Sequence, residues 1–210
     1  MQSTTVQMLL AARLVADYAR ELGADTEKHE TRPVYDHMGA LLADSVLQAG
    51  LNYNSVVRPR VEAILAQFPQ CDRASALLPV VGEGKTAAFL NWTHLEKIGR
   101  FESLVRFLGR NSIETVSDLG EELQQPGFVE LLRGVRGVGP KTVDYMGCLV
   151  GLDSAAVDRR VRTFARRVGV LNEDYDFLRS VFCCAADLLS LSRRQFDAWV
   201  WRRESSLSSH

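Results

Sequence analysis

Apolar residues recur at helical spacing along almost the whole chain. Val6, Leu9, Leu10, Leu14, Val15 and Tyr18 form one stripe, and Val34, Met38, Leu41, Leu42, Val46 and Leu47 form another. The same spacing predicts helices over 55–68, 85–108, 113–123, 128–132, 140–150, 161–168, 176–189 and 192–201. Glycine, proline and asparagine predict connectors at 50–52, 78–79, 109–111, 125–127 and 151–153. Strand-like alternation is almost absent and no period recurs, so an all-α fold that is not a repeat array is expected. Residues 204–210 have no apolar face, and the tail beyond Glu204 is expected to be disordered.

At 210 residues and 46% hydrophobic content the chain can fill a real core, which excludes disorder as a description of the whole. Arg13, Asp17 and Arg20 interrupt the first apolar stretch, which reads as an amphipathic helix and not a secretory signal. No run approaches the ~18 apolar residues of a bilayer span. With four cysteines, a reduced, cytoplasmic setting is the default expectation and no membrane partner is expected. The formal charge of −1 decides nothing about partners, but its distribution does. Residues 131–170 carry eight basic side chains (Arg133, Arg136, Lys141, Arg159, Arg160, Arg162, Arg166, Arg167) against three acids, a local surplus of five. A phosphate-binding face has this character, and a solvated helix face is the milder alternative.

Within 128–170 a short apolar helix is followed by Gly134-Val135-Arg136-Gly137-Val138-Gly139, and a second helix opens at Pro140. Proline suits the first helical position, where its missing N–H has no intrahelical partner. Gly137 and Gly139 leave no side chain between the turn's N–H groups and a ligand, and the helix dipole favours an anion there. Glycines that merely allow close helix packing are the competing explanation. Lys141 then falls in the first turn of a helix, where the dipole and neighbouring arginines disfavour an ammonium. That makes it a candidate amine nucleophile.

The run Gly137-Val-Gly-Pro-Lys-Thr142, with Val157-Asp158 following an intervening apolar helix, resembles the helix-hairpin-helix signature of the endonuclease III superfamily of DNA glycosylases. The resemblance spans about 35–170. It implies two helical lobes with a DNA-facing cleft between them: a barrel over 31–152 that ends in the hairpin, and a second lobe from 1–30 with 153–204. It implies Lys141 as the nucleophile that displaces a damaged base and forms a Schiff base. Asp158 becomes the carboxylate that stabilises developing positive charge and handles protons. Read from the residues alone, Asp158 also makes a good N-cap for the next helix, and the two roles are compatible. Arg136, Gly137, Val138, Gly139, Thr142, Arg159, Arg160 and Arg162 are the expected DNA contacts.

An enzyme that extrudes a base needs a plug for the gap in the stack. The family often takes it from the loop after an early helix, which makes Gln48, Leu51, Asn52 and Tyr53 the candidates here. Matching Ser55-Val56 to the family's residues puts Gly50, not a glutamine, at the usual plug position. Asp144 and Tyr145, one turn beyond Lys141, are pocket candidates, with Tyr145 in the core and Asp144 solvated as the alternative. Arg159-Arg160 replaces the family's Thr-His. Cys71, Cys148, Cys183 and Cys184 lack the spacing of an iron–sulfur centre, so no cofactor is expected. His29, His37 and His94 lack metal-ligand spacing. Gly82-Glu-Gly-Lys-Thr86 has Pro79 where a phosphate-binding loop needs glycine.

The resemblance therefore implies a monomeric, nucleoid-associated base-excision glycosylase with abasic-site lyase activity, acting on damaged bases in duplex DNA, with oxidised bases the expected class. A non-catalytic module that binds damaged or bent DNA, and a helical protein-interaction domain, are the readings of other classes.

Overall fold

A computed structural model of the chain describes residues 4–26 and 31–207. His29 and the last three residues of the tail lie outside them. The described residues form twelve α-helices and one short π-helical turn, with no strand among them. The protein is all-α. Contacts divide it into two compact units, Val34–Gly151 and Met1–Pro33 with Leu152–His210.

The central unit, Val34–Gly151, is built around α2 (Met38–Leu47), all ten residues of which are buried. A helix that is apolar on every side can only be stable when surrounded. Helices α3 (Arg58–Gln67), α4 (Ala74–Gly82), α6 (Leu95–Arg110) and α9 (Pro140–Leu149) all pack against it. Close approach begins at Gly39, where a Cβ would fall 2.9 Å from the Phe89 ring and 3.0 Å from the Cys71 carbonyl oxygen. His37 opens α2 through Nδ1, which accepts from the Ala40 N–H at 3.1 Å, while Nε2 lies 2.9 Å from the Phe68 carbonyl. The neutral ring with its proton on Nε2 satisfies both contacts. The unit is completed by the π-helical turn (Tyr53–Val57), α5 (Thr86–Leu90), α7 (Val116–Glu122) and α8 (Pro126–Arg133).

Several local expectations are corrected here: Pro126 and Gly127, expected in a connector, open α8, and Gly109 and Arg110, expected in another, end α6. The helix expected over 85–108 is broken, because Asn91 takes a left-handed conformation (φ 45°) and closes α5. Its N–H bonds the Ala88 carbonyl and that of Trp92 bonds the Ala87 carbonyl, the pairing of a Schellman motif. The connector expected at 78–79 lies inside α4. Pro79 is tolerated there because the carbonyl left without its donor belongs to exposed Ser75 in the first turn, where water can serve it.

The terminal unit joins both chain ends. Helix α1 (Thr4–Glu21) lays Ala11, Ala12, Val15, Ala16 and Ala19 against α11 (Tyr175–Leu188), small side chains that bring the two backbones close. α10 (Arg159–Arg167) and α12 (Arg193–Leu207) close an aromatic core in which Trp199 lies 6.0 Å from Phe164 and 6.1 Å from Phe196. α12 also corrects the expectation of disorder beyond Glu204, since it runs to Leu207. Glu204 is 3% exposed and bound to Arg167, and the Ser205 hydroxyl donates to the Trp201 carbonyl at 2.6 Å.

Candidate active site and nucleic-acid face

The turn between α8 and α9 is held by two backbone bonds, from Val135 N–H to Leu132 O (3.0 Å) and from Val138 N–H to Val135 O (2.9 Å). Gly137 occupies the third position of the second turn with φ +81°, a conformation that selects glycine. Val138 is buried and pins the turn to the core, and Thr142 is also buried, its N–H bonded to the Gly139 carbonyl. Of the residues expected at a DNA face, these two hold the turn in shape. Arg136 and Gly137 are exposed, and Gly139 is half-buried with nothing within 4 Å of where its Cβ would stand. Among the described residues, the N–H groups of Gly137 and Gly139 reach no hydrogen-bond acceptor. Gly139 caps α9 with extended backbone and Pro140 takes the first helical position. The Gly137 and Gly139 amides, on either side of the bonded Val138 N–H, are thus left to an acceptor from outside the described residues.

Lys141 is half-buried in the first turn of α9, and its Nζ donates to Gln48 Oε1 at 2.8 Å. Gln48 is the C-cap of α2, its N–H bonded to the Asp44 carbonyl at 3.0 Å. The end of α2 is in turn tied by Lys97, whose ammonium donates to the carbonyls of Val46 (3.0 Å), Leu47 (3.3 Å) and Ala49 (2.7 Å). A cation at a helix C-terminus is favourable. Burial, followed by the positive charges of Arg100 and Lys141, nevertheless pulls the Lys97 pKa down to about 8.

One helical turn away the same two helices are joined again. Asp44, fully buried on α2, accepts from the hydroxyls of Tyr145 (2.9 Å), Tyr35 (2.8 Å) and Tyr53 (3.2 Å). Burial, reinforced by the Asp44 charge, holds the Tyr35 hydroxyl far above its ordinary pKa. Asp44–Tyr145 and Gln48–Lys141 are thus successive rungs between antiparallel α2 and α9, and the first fixes the register in which the second forms. Sequence reasoning missed Asp44. Its signal was a lone acid inside the apolar run 38–47, at a spacing that buries it.

The plug and pocket candidates separate on this frame. Gln48 meets Lys141, and Tyr53 and Tyr145 meet at Asp44. Asn52 is exposed and caps the π-helical turn through the Ser55 N–H at 3.0 Å. Leu51 and Asp144 are half-buried.

In the terminal unit Asp158 is the N-cap of α10. One oxygen, Oδ1, accepts from the N–H groups of both Arg160 (2.7 Å) and Val161 (3.0 Å), and Oδ2 stands 3.9 Å from the Arg160 guanidinium. The loop before it is held by buried Asp197, which accepts from the Ala156 N–H at 3.2 Å and pairs with Arg32 at 2.5 Å. Arg160 stacks over Trp201 at 4.6 Å. Arg162 donates to the Glu173 carbonyl, Arg166 pairs with the Glu173 carboxylate and Arg167 with Glu204, whereas exposed Arg159 forms no ion pair among the described residues. Much of the local basic surplus is therefore bound internally.

An open groove of about 570 Å³ runs beside the α8–α9 turn, lined by Leu95, Glu96, Gly99, Arg100 and Ser103 of α6 and by Arg136 and Gly137. Among the described residues no group of His, Cys, Asp and Glu side chains could hold a metal ion. No described helix is long and apolar enough to cross a membrane. Cys71, Cys148, Cys183 and Cys184 form no disulfide with one another. A scan against protein-family models finds no match to this chain, and a search of curated proteins finds none.

Proposed function

We propose that the protein is a base-excision DNA glycosylase with abasic-site lyase activity, built on a helix-hairpin-helix element formed by α8, the glycine turn and α9. The observation that carries the reading is Lys141. It is an amine in the first turn of a helix, half-buried and aimed by a side-chain amide, directly after a turn in which the Gly137 and Gly139 N–H groups have no acceptor among the described residues. In this reading Gly137 and Gly139 take a backbone phosphate of duplex DNA. Lys141, as the free amine, attacks the anomeric carbon. The glycosidic C–N bond breaks and the base leaves with a proton. Opening of the sugar ring gives the imine, loss of a C2′ proton expels the 3′ phosphate, and water hydrolyses the imine to restore the lysine. Asp158 supplies the carboxylate that favours positive charge on the sugar. The enzyme works as a monomer without a cofactor, in the cytoplasm on nucleoid DNA, with a damaged, oxidised base as the substrate class.

The test is borohydride trapping on duplex DNA carrying an abasic site, for the parent and for Lys141→Ala, with circular dichroism to confirm folding. A covalent band that the variant loses completely is expected. An equal band from Lys141→Ala would overturn the assignment of the nucleophile. No band from a parent that still binds DNA would replace the enzyme with a non-catalytic DNA-binding module.

A further inference from the structure

We propose that Arg100 and Arg136 form a clamp for one backbone phosphodiester of duplex DNA, extending the DNA-contacting surface of the central unit from the glycine turn onto α6. The inference rests on the DNA reading above but not on its chemistry.

Four observations converge. The two guanidiniums come from elements far apart in sequence and line the same open groove. Neither has a carboxylate partner among the described residues, whereas Arg58, Arg106 and Arg133 of the same unit each pair with a glutamate. Arg100 also seats directly on the turn, since a Cβ at Gly137 would fall 2.7 Å from its Cζ. Glycine is favoured there by its φ of +81°, and its missing Cβ leaves room for this guanidinium on a turn whose Gly137 N–H has no acceptor among the described residues. Finally, positive charge crowds the site. Arg100 and Lys141 both disfavour the ammonium of Lys97, so an anion arriving beside Arg100 relieves part of that repulsion.

The groove also limits what that anion is. A guanidinium offers a planar fork matched to two phosphate oxygens. Glu96, exposed one helical turn before Arg100, lines the same groove and forms no ion pair with either arginine. A second concentrated negative charge would meet it, which favours a singly charged phosphodiester over a nucleoside polyphosphate. Leu95, largely exposed and also lining the groove, offers an apolar wall for a deoxyribose.

The experiment is fluorescence anisotropy with a labelled duplex, undamaged or carrying a stable abasic analogue, across a salt series. Arg100→Met keeps the apolar stem and removes the charge, and Arg136→Met does the same at an exposed turn position with little risk to folding. Each is expected to weaken binding about tenfold on both duplexes and to lower the slope of log affinity against log salt by about 0.9, the loss of one phosphate contact. Unchanged affinity and slope in Arg136→Met, or in a folded Arg100→Met, would overturn the clamp. Trapping by the parent protein judges the lyase reading separately. A parent that binds but never traps, with both variants weakened, leaves the clamp standing and removes the lyase. A parent that traps while both variants bind as tightly as it does removes the clamp alone.

Discussion

At Lys97 two physical demands oppose each other. Three carbonyls at the end of α2 want a cation, while burial and the charges of Arg100 and Lys141 make that cation costly, so its pKa falls from 10.5 to about 8. The sign of the pH effect follows. Below about pH 8 both folded and unfolded chains carry the proton and the full charge penalty is present. Between about 8 and 10.5 the folded chain gives up a proton that the unfolded chain keeps, so this residue's contribution to stability rises with pH. Tyr35, its hydroxyl pushed far above the ordinary value, works in the opposite direction at higher pH, but equally in parent and variant. Urea midpoints of the parent and of Lys97→Met, compared across that window, are therefore expected to diverge in the parent's favour. Parallel curves would show that the site imposes no penalty on the charge. The effect reaches function because Lys97 ties down the carbonyls on either side of Gln48, the acceptor for Lys141.

At the scale of elements, local signals were legible and distant ones were not. Proline at the first turn of α9, apolar spacing in α1 and α2, and an aspartate before α10 each act within one or two helical turns, and the sequence displays them directly. The break at Asn91 escaped because its signal is a backbone conformation that asparagine tolerates without announcing it. The Asp44 cluster escaped because its partner Tyr145 lies 101 residues away. α10 also shows how a cap and a reactive group can be told apart. Asn caps a helix about as well as Asp, whereas Ala loses about 1 kcal/mol. Asp158→Asn should therefore unfold near the parent's midpoint yet lose about 10²–10³-fold in the rate of trapping, while Asp158→Ala loses both. Rates for Asp158→Asn within a factor of two of the parent's would reduce Asp158 to a cap.

At the scale of the whole molecule, sums along the sequence mislead where pairs form across it. The basic surplus of 131–170 is partly cancelled by Glu173 and Glu204, acids outside that window which only the folded chain brings to Arg166 and Arg167. Chain connectivity has a comparable consequence. The unit that holds Asp158 borrows its first helix and Arg32 from the other end of the chain. Removing residues 1–33 would uncover the face of α11 that packs against α1, and would leave fully buried Asp197 without its cation. An unpaired buried charge alone costs about 3–5 kcal/mol, a large part of a small unit's stability. The truncated chain is therefore expected to lose the buried emission of Trp199 and, under the proposed function, the trapping assigned in part to Asp158. The central unit, which has its own core around α2, should keep a cooperative helical transition by circular dichroism. Tryptophan emission and unfolding like those of the full chain would show that α10, α11 and α12 hold their core without α1, and would remove Arg32 from any part in supporting the loop that leads to Asp158.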